Sequence, residues 1–383
     1  MRSLFFLVAA VILVDTMFFA AVAPLLPEYA DDLELSKTGA GILTGSYAAG
    51  ALLGSLPGGW LTARLGARPA VILGLLLVAI ACVTFGFGTN VLVLDVARFM
   101  QGAGGAWMWA GGMAWLISAS TAERRGELIG AALSAAVVGL LLGPVLGGLA
   151  TVAGAEAVFG FTGGVCLLLA VGAASMKGIA KEGGLTMGAT IGALRMPAMI
   201  AGIWLLTLPG LLSGVVQVLA PLRLDELGAS GVAVGAVFLV TAAAEAALSP
   251  AVGRLSDTRG RLVPIRLGLV GATVVALAAP FPHTAFLLAA VVLCLYIALA
   301  GLWTPAMALI SDAAERTRVE QGYAFAIMNM AWAFGQLLGS GAGGALADAA
   351  SDRLAYTAMA VLCAATLAGA VLAGGRRDYA HAA

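Results

Sequence analysis

The chain has 383 residues, of which 61% are hydrophobic and only 10% are charged, and its mean hydropathy is +1.03. A soluble domain carries about 25% charged residues, so this composition excludes an ordinary soluble protein and indicates a protein of the lipid bilayer. The formal net charge is zero, which predicts no nucleic-acid partner.

Apolar stretches of about 20 residues predict twelve membrane spans. Because unpaired backbone groups are costly in lipid, we expect an all-α membrane protein. The approximate limits are 4–26, 38–60, 69–88, 91–117, 127–150, 156–176, 196–220, 231–252, 262–280, 284–309, 321–345 and 354–374. Pro197, Pro209 and Gly210 interrupt the seventh span.

The positive charges predict the orientation of the chain. Sixteen lysines and arginines fall in loops and termini on the side of Arg2, whereas three fall on the opposite side, namely Lys37, Arg223 and Arg353. Cytoplasmic loops carry the excess of positive charge. We therefore expect a multi-pass protein of the cell (plasma) membrane with both termini in the cytoplasm.

Three segments of the first half recur in the second half. The offset is 194 residues for the first two pairs and 196 for the third. The pairs are PEYADDLELSKTGAG (27–41) with PLRLDELGASGVAVG (221–235), GWLTARLGARP (59–69) with GRLSDTRGRLV (253–263), and GLLLGPVLGGL (139–149) with GQLLGSGAGGA (335–345). Such a parallel repeat predicts two pseudo-symmetric six-helix bundles with the substrate site between them.

The repeat also predicts the domain limits. Residues 1–176 form the N-terminal six-helix bundle, residues 177–195 a cytoplasmic linker, and residues 196–383 the C-terminal bundle with a short cytoplasmic tail. Charges that lie deep in the membrane and occur in one half only are not required by this architecture. They are the candidates for function, and the sequence contains three: Asp15, Arg98 and Glu245.

Asp15 lies about 17 Å into the first span if the helix begins at Leu4. A charged carboxylate at that depth normally faces a cavity or a partner. Burial favours the neutral acid, whereas a nearby cation favours the carboxylate. We expect a proton and a cationic substrate to compete for Asp15; the alternative is a static ion pair with Arg98.

Arg98 lies about seven residues into the fourth span, one helical turn from Asp95, which permits an ion pair within the helix. An arginine does not readily lose its proton. We expect it either to tune Asp15 or to bind an anionic group of the substrate.

Glu245 lies about fourteen residues into the eighth span, among small residues. Tight and dry surroundings would favour the neutral acid and a role in proton coupling. The alternatives are a structural hydrogen bond between helices and a side chain that extends to the cytoplasmic edge.

Span 11 carries a polar and aromatic face that the first half lacks. Its members are Phe325, Asn329, Trp332 and Gln336. This face suits the lining of a cavity, and hydrogen bonding between helices is the equal alternative.

Four other aromatic residues suggest a cage for a lipophilic cation, with ordinary packing or an interfacial belt as the alternative: Tyr47, Trp109, Tyr296 and Trp303.

Glycine-rich and basic motifs indicate segments that change conformation during function. In span 5 the glycines allow close helix packing and the proline favours a bend: Gly139, Gly143, Pro144, Gly147 and Gly148. The loop after span 2 carries Gly59, Arg64, Gly66 and Arg68, and its second copy carries Gly253, Asp257, Gly260 and Arg261. These loops suit a cytoplasmic latch of ion pairs, although a positive-inside topology alone also explains the arginines.

These motifs carry a family resemblance over essentially the whole chain. The loop after span 2 resembles the Gly-x-x-x-Asp-Arg-x-Gly-Arg motif of the major facilitator superfamily, with Ala63 in place of its aspartate. Span 4 resembles that family's Arg-x-x-Gln-Gly element through Arg98, Gln101 and Gly102, and span 5 resembles the antiporter element. The chain thus looks like the twelve-span drug:proton antiporter branch, and its first span is similar to vesicular monoamine transporters and their bacterial relatives.

No metal or cofactor is expected. Each cysteine falls in a different apolar segment, which favours neither disulfides nor metal-site spacing: Cys82, Cys166, Cys294 and Cys363. The sequence has no Walker A lysine and no arrangement typical of nucleophilic catalysis, so we expect no enzymatic activity.

The sequence therefore predicts a secondary transporter that exports a small, lipophilic, cationic compound in exchange for protons by alternating access. Its partners would be the substrate, protons and the lipid bilayer, and the chain would act as a monomer. One alternative is a transporter of a neutral or anionic metabolite with Arg98 as the substrate ligand. The other is a membrane sensor or scaffold without transport activity.

Overall fold

The computed structural model describes residues 2–120, 125–178, 195–317 and 321–382. Its described part is helical throughout, without strands. The elements are α1, Arg2–Ala20; a 3₁₀ turn, Ala23–Leu25; α2, Leu26–Asp32; α3, Lys37–Leu65; α4, Ala67–Phe87; α5, Val91–Ala119; α6, Arg125–Ala153; α7, Ala155–Ser175; α8, Pro197–Glu226; α9, Gly231–Arg259; α10, Leu262–Ala278; α11, Ala285–Arg316; α12, Gln321–Ala349; and α13, Asp352–Ala382. Most of the predicted linker, residues 179–194, lies outside the described residues.

The twelve predicted spans are confirmed as helices. The segment from α1 to α2 forms the first span, and each later span corresponds to one helix from α3 to α13. In the part of the chain that the structure describes, eight helical segments are both long and apolar enough to cross a bilayer. Helices α3, α5 and α12 are each 29 residues long, or about 43 Å, which exceeds the bilayer core of about 30 Å. Proline does not interrupt the seventh span, since α8 is continuous through Pro209.

Apolar side chains cover the outer surface of the bundle. Phe161 and Leu168 on α7 are 74% and 70% exposed, and Val361 on α13 is 60% exposed. In water such a surface would promote aggregation, whereas lipid solvates it. The surface thus agrees with a multi-pass membrane protein.

The sequence repeat extends to the ends of the helices. Ser36 caps α3 by accepting a hydrogen bond from a backbone N–H, and Ser230 caps α9 in the same way. Gly66, after α3, has φ of +100°, and Gly260, after α9, has φ of +85°. Residues other than glycine rarely adopt this backbone conformation, so these two glycines make the turns that follow α3 and α9. The two halves therefore share their local stop and start signals as well as their apolar pattern.

Glycine stripes bring helices into close contact within each bundle. A Cβ atom on any stripe residue would overlap the neighbouring helix, which is α1 for α6 and α8 for α12. The stripes are Gly139, Gly143 and Gly147 on α6, and Gly335, Gly339 and Gly343 on α12. The predicted close packing of the span 5 glycines is thus observed at these three positions. Gly148 instead faces the other bundle, at 3.7 Å from its built Cβ to Val232 Cα.

The two bundles meet along two helix pairs, α3 with α12 and α6 with α9. We call the end of the molecule that contains Lys37 and Asp348 the outer end, following the predicted orientation. Near this end, Gly45 lies against the hydroxyl of Ser340, and Gly235 lies against the carbonyl of Pro144. Small residues thus bring the bundles together on the outer side.

Asp348 joins the outer ends of the two bundles. Its carboxylate accepts hydrogen bonds from the backbone N–H groups of Lys37 (3.0 Å) and Thr38 (2.7 Å), at the start of α3. The Lys37 ammonium also pairs with Asp352 at 2.6 Å. Burial raises the pKa of Asp348, but hydrogen bonds from Thr38, Ser36 and Lys37 outweigh it and leave this pKa below its ordinary value of 3.8. A carboxylate of one bundle thereby caps a helix of the other.

Replacing Asp348 with alanine should weaken this closure. A cap is worth about 1 kcal/mol, so we expect the fraction of molecules with separated outer ends to rise roughly fivefold. Spin-label distances between the ends of α3 and α12 would report that fraction. Asp32→Ala, at an exposed position on the same outer end, is the matched control.

The same cap should not respond to pH in the physiological range. Because the folded pKa is below 3.8, the cap's contribution is complete above that value and is lost only as the pH falls through the lower, folded value. The difference in these distances between the wild type and Asp348→Ala should therefore be the same at about pH 8 and about pH 5. An opening between these pH values that Asp348→Ala abolishes would contradict this assignment.

Candidate functional site

Asp15 is enclosed where α1, α3 and α5 meet. The side chain is only 1% exposed. Its Oδ2 accepts a hydrogen bond from the indole Nε1 of Trp109 at 3.0 Å and a longer one from the hydroxyl of Tyr47 at 3.4 Å. Its Oδ1 is buried and has no hydrogen-bond partner. The two oxygens of one carboxylate thus lie in different surroundings.

Gly105 makes room for this carboxylate. A Cβ atom at position 105 would lie 2.5 Å from Asp15 Oδ1 and 3.0 Å from its Cγ. Any side chain there would displace Asp15. Gly105 was not among the site residues predicted from the sequence. The signal was present, because Arg98, Gly102, Gly105 and Trp109 follow one another at the three- and four-residue spacing of a single helix face.

Arg98 is also buried, at 1% exposure. Its guanidinium donates a hydrogen bond to Gln101 on the same helix. The guanidinium carbon lies 5.0 Å from the ring centre of Tyr47 and 6.0 Å from that of Phe19, within the range of cation–π contacts. The Nε of Arg98 and the Nε2 of Gln101 have no hydrogen-bond partner. Arg98 therefore keeps free hydrogen-bonding capacity.

Asp15 and Arg98 do not form an ion pair. Among the described residues, no carboxylate oxygen lies within 4.0 Å of the Arg98 guanidinium, so the pair with Asp95 is absent as well. Tyr47 lies between the two charges, with its hydroxyl near Asp15 and its ring face against Arg98. The static ion pair considered from the sequence is thus not the arrangement observed.

Trp332 brings the second bundle to this cluster. Its ring centre lies 5.4 Å from that of Phe19 and 6.3 Å from that of Tyr47. Of the six substrate- and proton-binding residues proposed from the sequence, the structure thus gathers Asp15, Arg98 and Trp332 around these two aromatic rings. The cluster crosses the boundary between the bundles.

Gln336 belongs to a separate network inside the second bundle. It is fully buried, accepts a hydrogen bond from Ser213 at 2.9 Å, and donates one to Gln217 at 3.0 Å. This is the hydrogen bonding between helices that was one of the two expectations for this face of span 11. Asn329 is partly exposed, and its side chain forms no hydrogen bond with any described residue.

Glu245 lies on α9 and is partly exposed. It lies near Tyr296 of α11, whose hydroxyl is also near Gln217. Its carboxylate has no ion-pair partner in the described part of the chain. Tyr296 packs against Phe238 at 6.4 Å between ring centres, in the second bundle. Since Tyr47 and Trp109 contact Asp15 in the first bundle, the four aromatic residues considered as a cage fall into different groups.

The motif loops differ in their contacts. Arg261 pairs with Asp312 of α11 at 2.5 Å, within the second bundle. In the first bundle, Arg64 lies 5.7 Å from the ring of its own helix neighbour Trp60. Gly59 has open space around its built Cβ. Among the described residues, an ion pair at these motif loops is thus seen only in the second copy.

Replacing Gly105 with alanine should destabilise the protein through Asp15. Overpacking costs about 1–3 kcal/mol, so the melting temperature in detergent should fall. Gly160→Ala on α7 is the control, because its built Cβ meets nothing within 4 Å and alanine favours a helix. In the Asp15→Ala background the loss should largely disappear, since the crowded carboxylate is gone. An equal loss in both backgrounds would show that Asp15 is not the group displaced.

Known proteins resemble this chain in sequence. The pattern of the Major Facilitator Superfamily matches residues 7–183 and 203–381. The chain is 26% identical over 170 residues to multidrug resistance protein 2 of Bacillus subtilis strain 168, covering 44% of this chain and 42% of that protein. It is 31% identical over 157 residues to the probable vesicular acetylcholine transporter-B of Danio rerio, covering 39% and 32%. The chain thus spans less than half the length of each of these relatives.

A solved structure resembles it over nearly the whole chain. A bacterial homolog of the human lysosomal transporter Spinster, inward-facing and occupied, superposes with a TM-score of 0.80 at 15% identity, covering 97% of this chain and 96% of that one. This likeness confirms the predicted fold of two six-helix bundles, and the similarity to multidrug resistance proteins confirms the resemblance to drug antiporters. Because the family pattern covers most of its length, this chain belongs to the Major Facilitator Superfamily, a family of membrane transporters rather than enzymes, and is a multi-pass membrane protein.

Proposed function

We propose that this transporter exports a small, lipophilic, cationic compound across the plasma membrane in exchange for protons, by alternating access. The observation that carries the proposal is Asp15, a carboxylate buried at mid-span with one oxygen hydrogen-bonded and the other without a partner. The similarity to a protein named for multidrug resistance supports it.

The free oxygen of Asp15 needs a positive partner in at least one state. A buried charge without a partner costs several kcal/mol, so the carboxylate is favoured only when a cation accompanies it. Arg98 is too far away to be that partner through direct contact. A proton or a substrate cation satisfies the same requirement. Binding of one therefore opposes binding of the other, which is the basis of antiport.

The aromatic cluster supports coupling between this charge and movement of the bundles. Phe19 and Tyr47 belong to the first bundle, and Trp332 belongs to the second. When the bundles rock apart, Trp332 leaves these rings and the surroundings of Asp15 become more polar. The affinity of Asp15 for a proton would then differ between the two conformations, as proton coupling requires. We assign Glu245 as a second proton site, since it lacks an ion-pair partner in the described part of the chain.

A second candidate function rests on Arg98. Its Nε and the neighbouring Gln101 Nε2 are buried donors without partners, and together they suit an anionic or neutral polar group of a metabolite. In that case Arg98 is the substrate ligand and Asp15 the proton carrier. In either case we propose a monomer whose partners are the substrate, protons and the lipid bilayer, with both termini in the cytoplasm.

Proton release from purified protein tests the proposal. Adding amines or cationic dyes to the wild type in weakly buffered detergent should release protons, and Asp15→Asn should abolish the release because the exchanging acid is gone. Asp95→Asn is the matched control, since Asp95 is a partly buried acid of α5 that forms no hydrogen bond or ion pair with Asp15 or Arg98. Glu245→Gln should reduce the number of protons released.

Other outcomes assign the alternatives. Wild-type protein that releases no proton with any cation, but binds anions in a manner lost in Arg98→Lys, would support the metabolite transporter. Proteoliposomes without flux under any driving force would instead support a sensor or scaffold.

A further inference from the structure

The indole of Trp109 keeps one oxygen of Asp15, Oδ2, as a hydrogen-bond acceptor. The indole Nε1–H donates to Asp15 Oδ2 at 3.0 Å. An indole nitrogen is a donor only and has no lone pair to accept a proton from a carboxylic acid. A proton placed on Oδ2 would therefore face a donor. The carbonyl oxygen of a neutral acid accepts a hydrogen bond more strongly than its hydroxyl oxygen does, so this donor favours the proton on Oδ1.

Packing keeps Trp109 in this position. Its ring lies against the apolar cluster of Val8 and Ile12 on α1 and Met113 and Leu116 on α5. Tyr47 does not impose the same constraint, because its hydroxyl is farther from Oδ2, at 3.4 Å, and can both donate and accept. Trp109 is therefore the residue that distinguishes the two oxygens.

We infer that Trp109 is a positioning residue that reserves Asp15 Oδ1 as the single atom at which a proton and a substrate cation compete. This inference rests on the proposed antiport function. It extends that function from a residue to an atom and adds a residue that our sequence analysis had considered only as part of an aromatic cage. Gly105, which has no side chain, leaves the space that Oδ1 occupies.

Removing the indole N–H should make Asp15 hold its proton more tightly. A hydrogen bond to a charged group stabilises the carboxylate but contributes less to the neutral acid. In Trp109→Phe the pH midpoint of substrate-induced proton release should therefore move to higher pH, by about one to two units. Below this midpoint the half-saturating cation concentration should rise, by about tenfold for each unit of the shift.

The chain provides a matched control two residues away. Trp107 is also on α5, and its indole donates to the backbone carbonyl of Gly54 at 3.2 Å rather than to Asp15. Trp107→Phe thus removes a comparable ring and hydrogen bond, and its midpoint should equal that of the wild type. The other titratable groups near Asp15 are unchanged in both variants: Tyr47 on α3, Cys82 on α4 and Arg98 on α5. Helices α6 and α7 add none among the described residues that act on Asp15 directly.

A conservative variant separates the hydrogen bond from packing. Trp109→Gln keeps an N–H donor but loses the ring, so its midpoint should lie closer to that of the wild type than the midpoint of Trp109→Phe does. It also provides the measurement if Trp109→Phe does not fold, because replacing glutamine by leucine at that position then compares a donor with an apolar side chain of similar size.

Failure of this inference differs from failure of the proposed function. If wild-type release is abolished in Asp15→Asn but Trp109→Phe has the same midpoint as Trp107→Phe, the antiport proposal stands and the role of Trp109 is overturned. Equal shifts in both tryptophan variants would also overturn it. If the wild type releases no proton that depends on Asp15, both proposals fall.

Discussion

The central constraint on this protein is the burial of a carboxylate in a bundle whose surroundings are lipid. Asp15 must lie away from lipid, and only close approach of α5 to α1 encloses it. That approach depends on the absence of a side chain at Gly105 and on a donor at Trp109. The neighbouring Gly102 lies against the backbone of Tyr47 in the same way. One face of α5 therefore packs against both Asp15 and Tyr47. The same residues of α5 thus determine both the packing of the first bundle and the surroundings of Asp15.

The two bundles share a backbone plan but differ in polar content. Serine caps and left-handed glycines recur at Ser36 and Ser230 and at Gly66 and Gly260. The first bundle encloses charges, whereas the second encloses amides and hydroxyls around Gln336. Amides change neither charge nor protonation state in the physiological range, so the second network fits a fixed framework. The contrast is consistent with competition between proton and substrate at Asp15 in the first bundle and with Trp332 as the contact of this site in the second.

Much of the fold could be predicted from the sequence, because it depends on local properties. The length of apolar runs fixes the spans, and the spacing of Gly139, Gly143 and Gly147 fixes a contact face. The pairing of Asp15 with Trp109 could not be predicted, because it depends on how α1 and α5 rotate relative to one another. The distance between Asp15 and Arg98 could not be predicted either, because it depends on the same rotation of the helices. The two residues are near neighbours without direct contact.

The cap that Asp348 provides has a consequence for the balance between the two conformations. When the outer ends separate, water can hydrate the N–H groups of Lys37 and Thr38 and the carboxylate, so each lost hydrogen bond is exchanged for another. The start of α3 also keeps its own cap, Ser36. The cap therefore favours closure over opening only slightly. A gate made of exchangeable hydrogen bonds can be reversed in every cycle by the modest binding energy of a single small molecule.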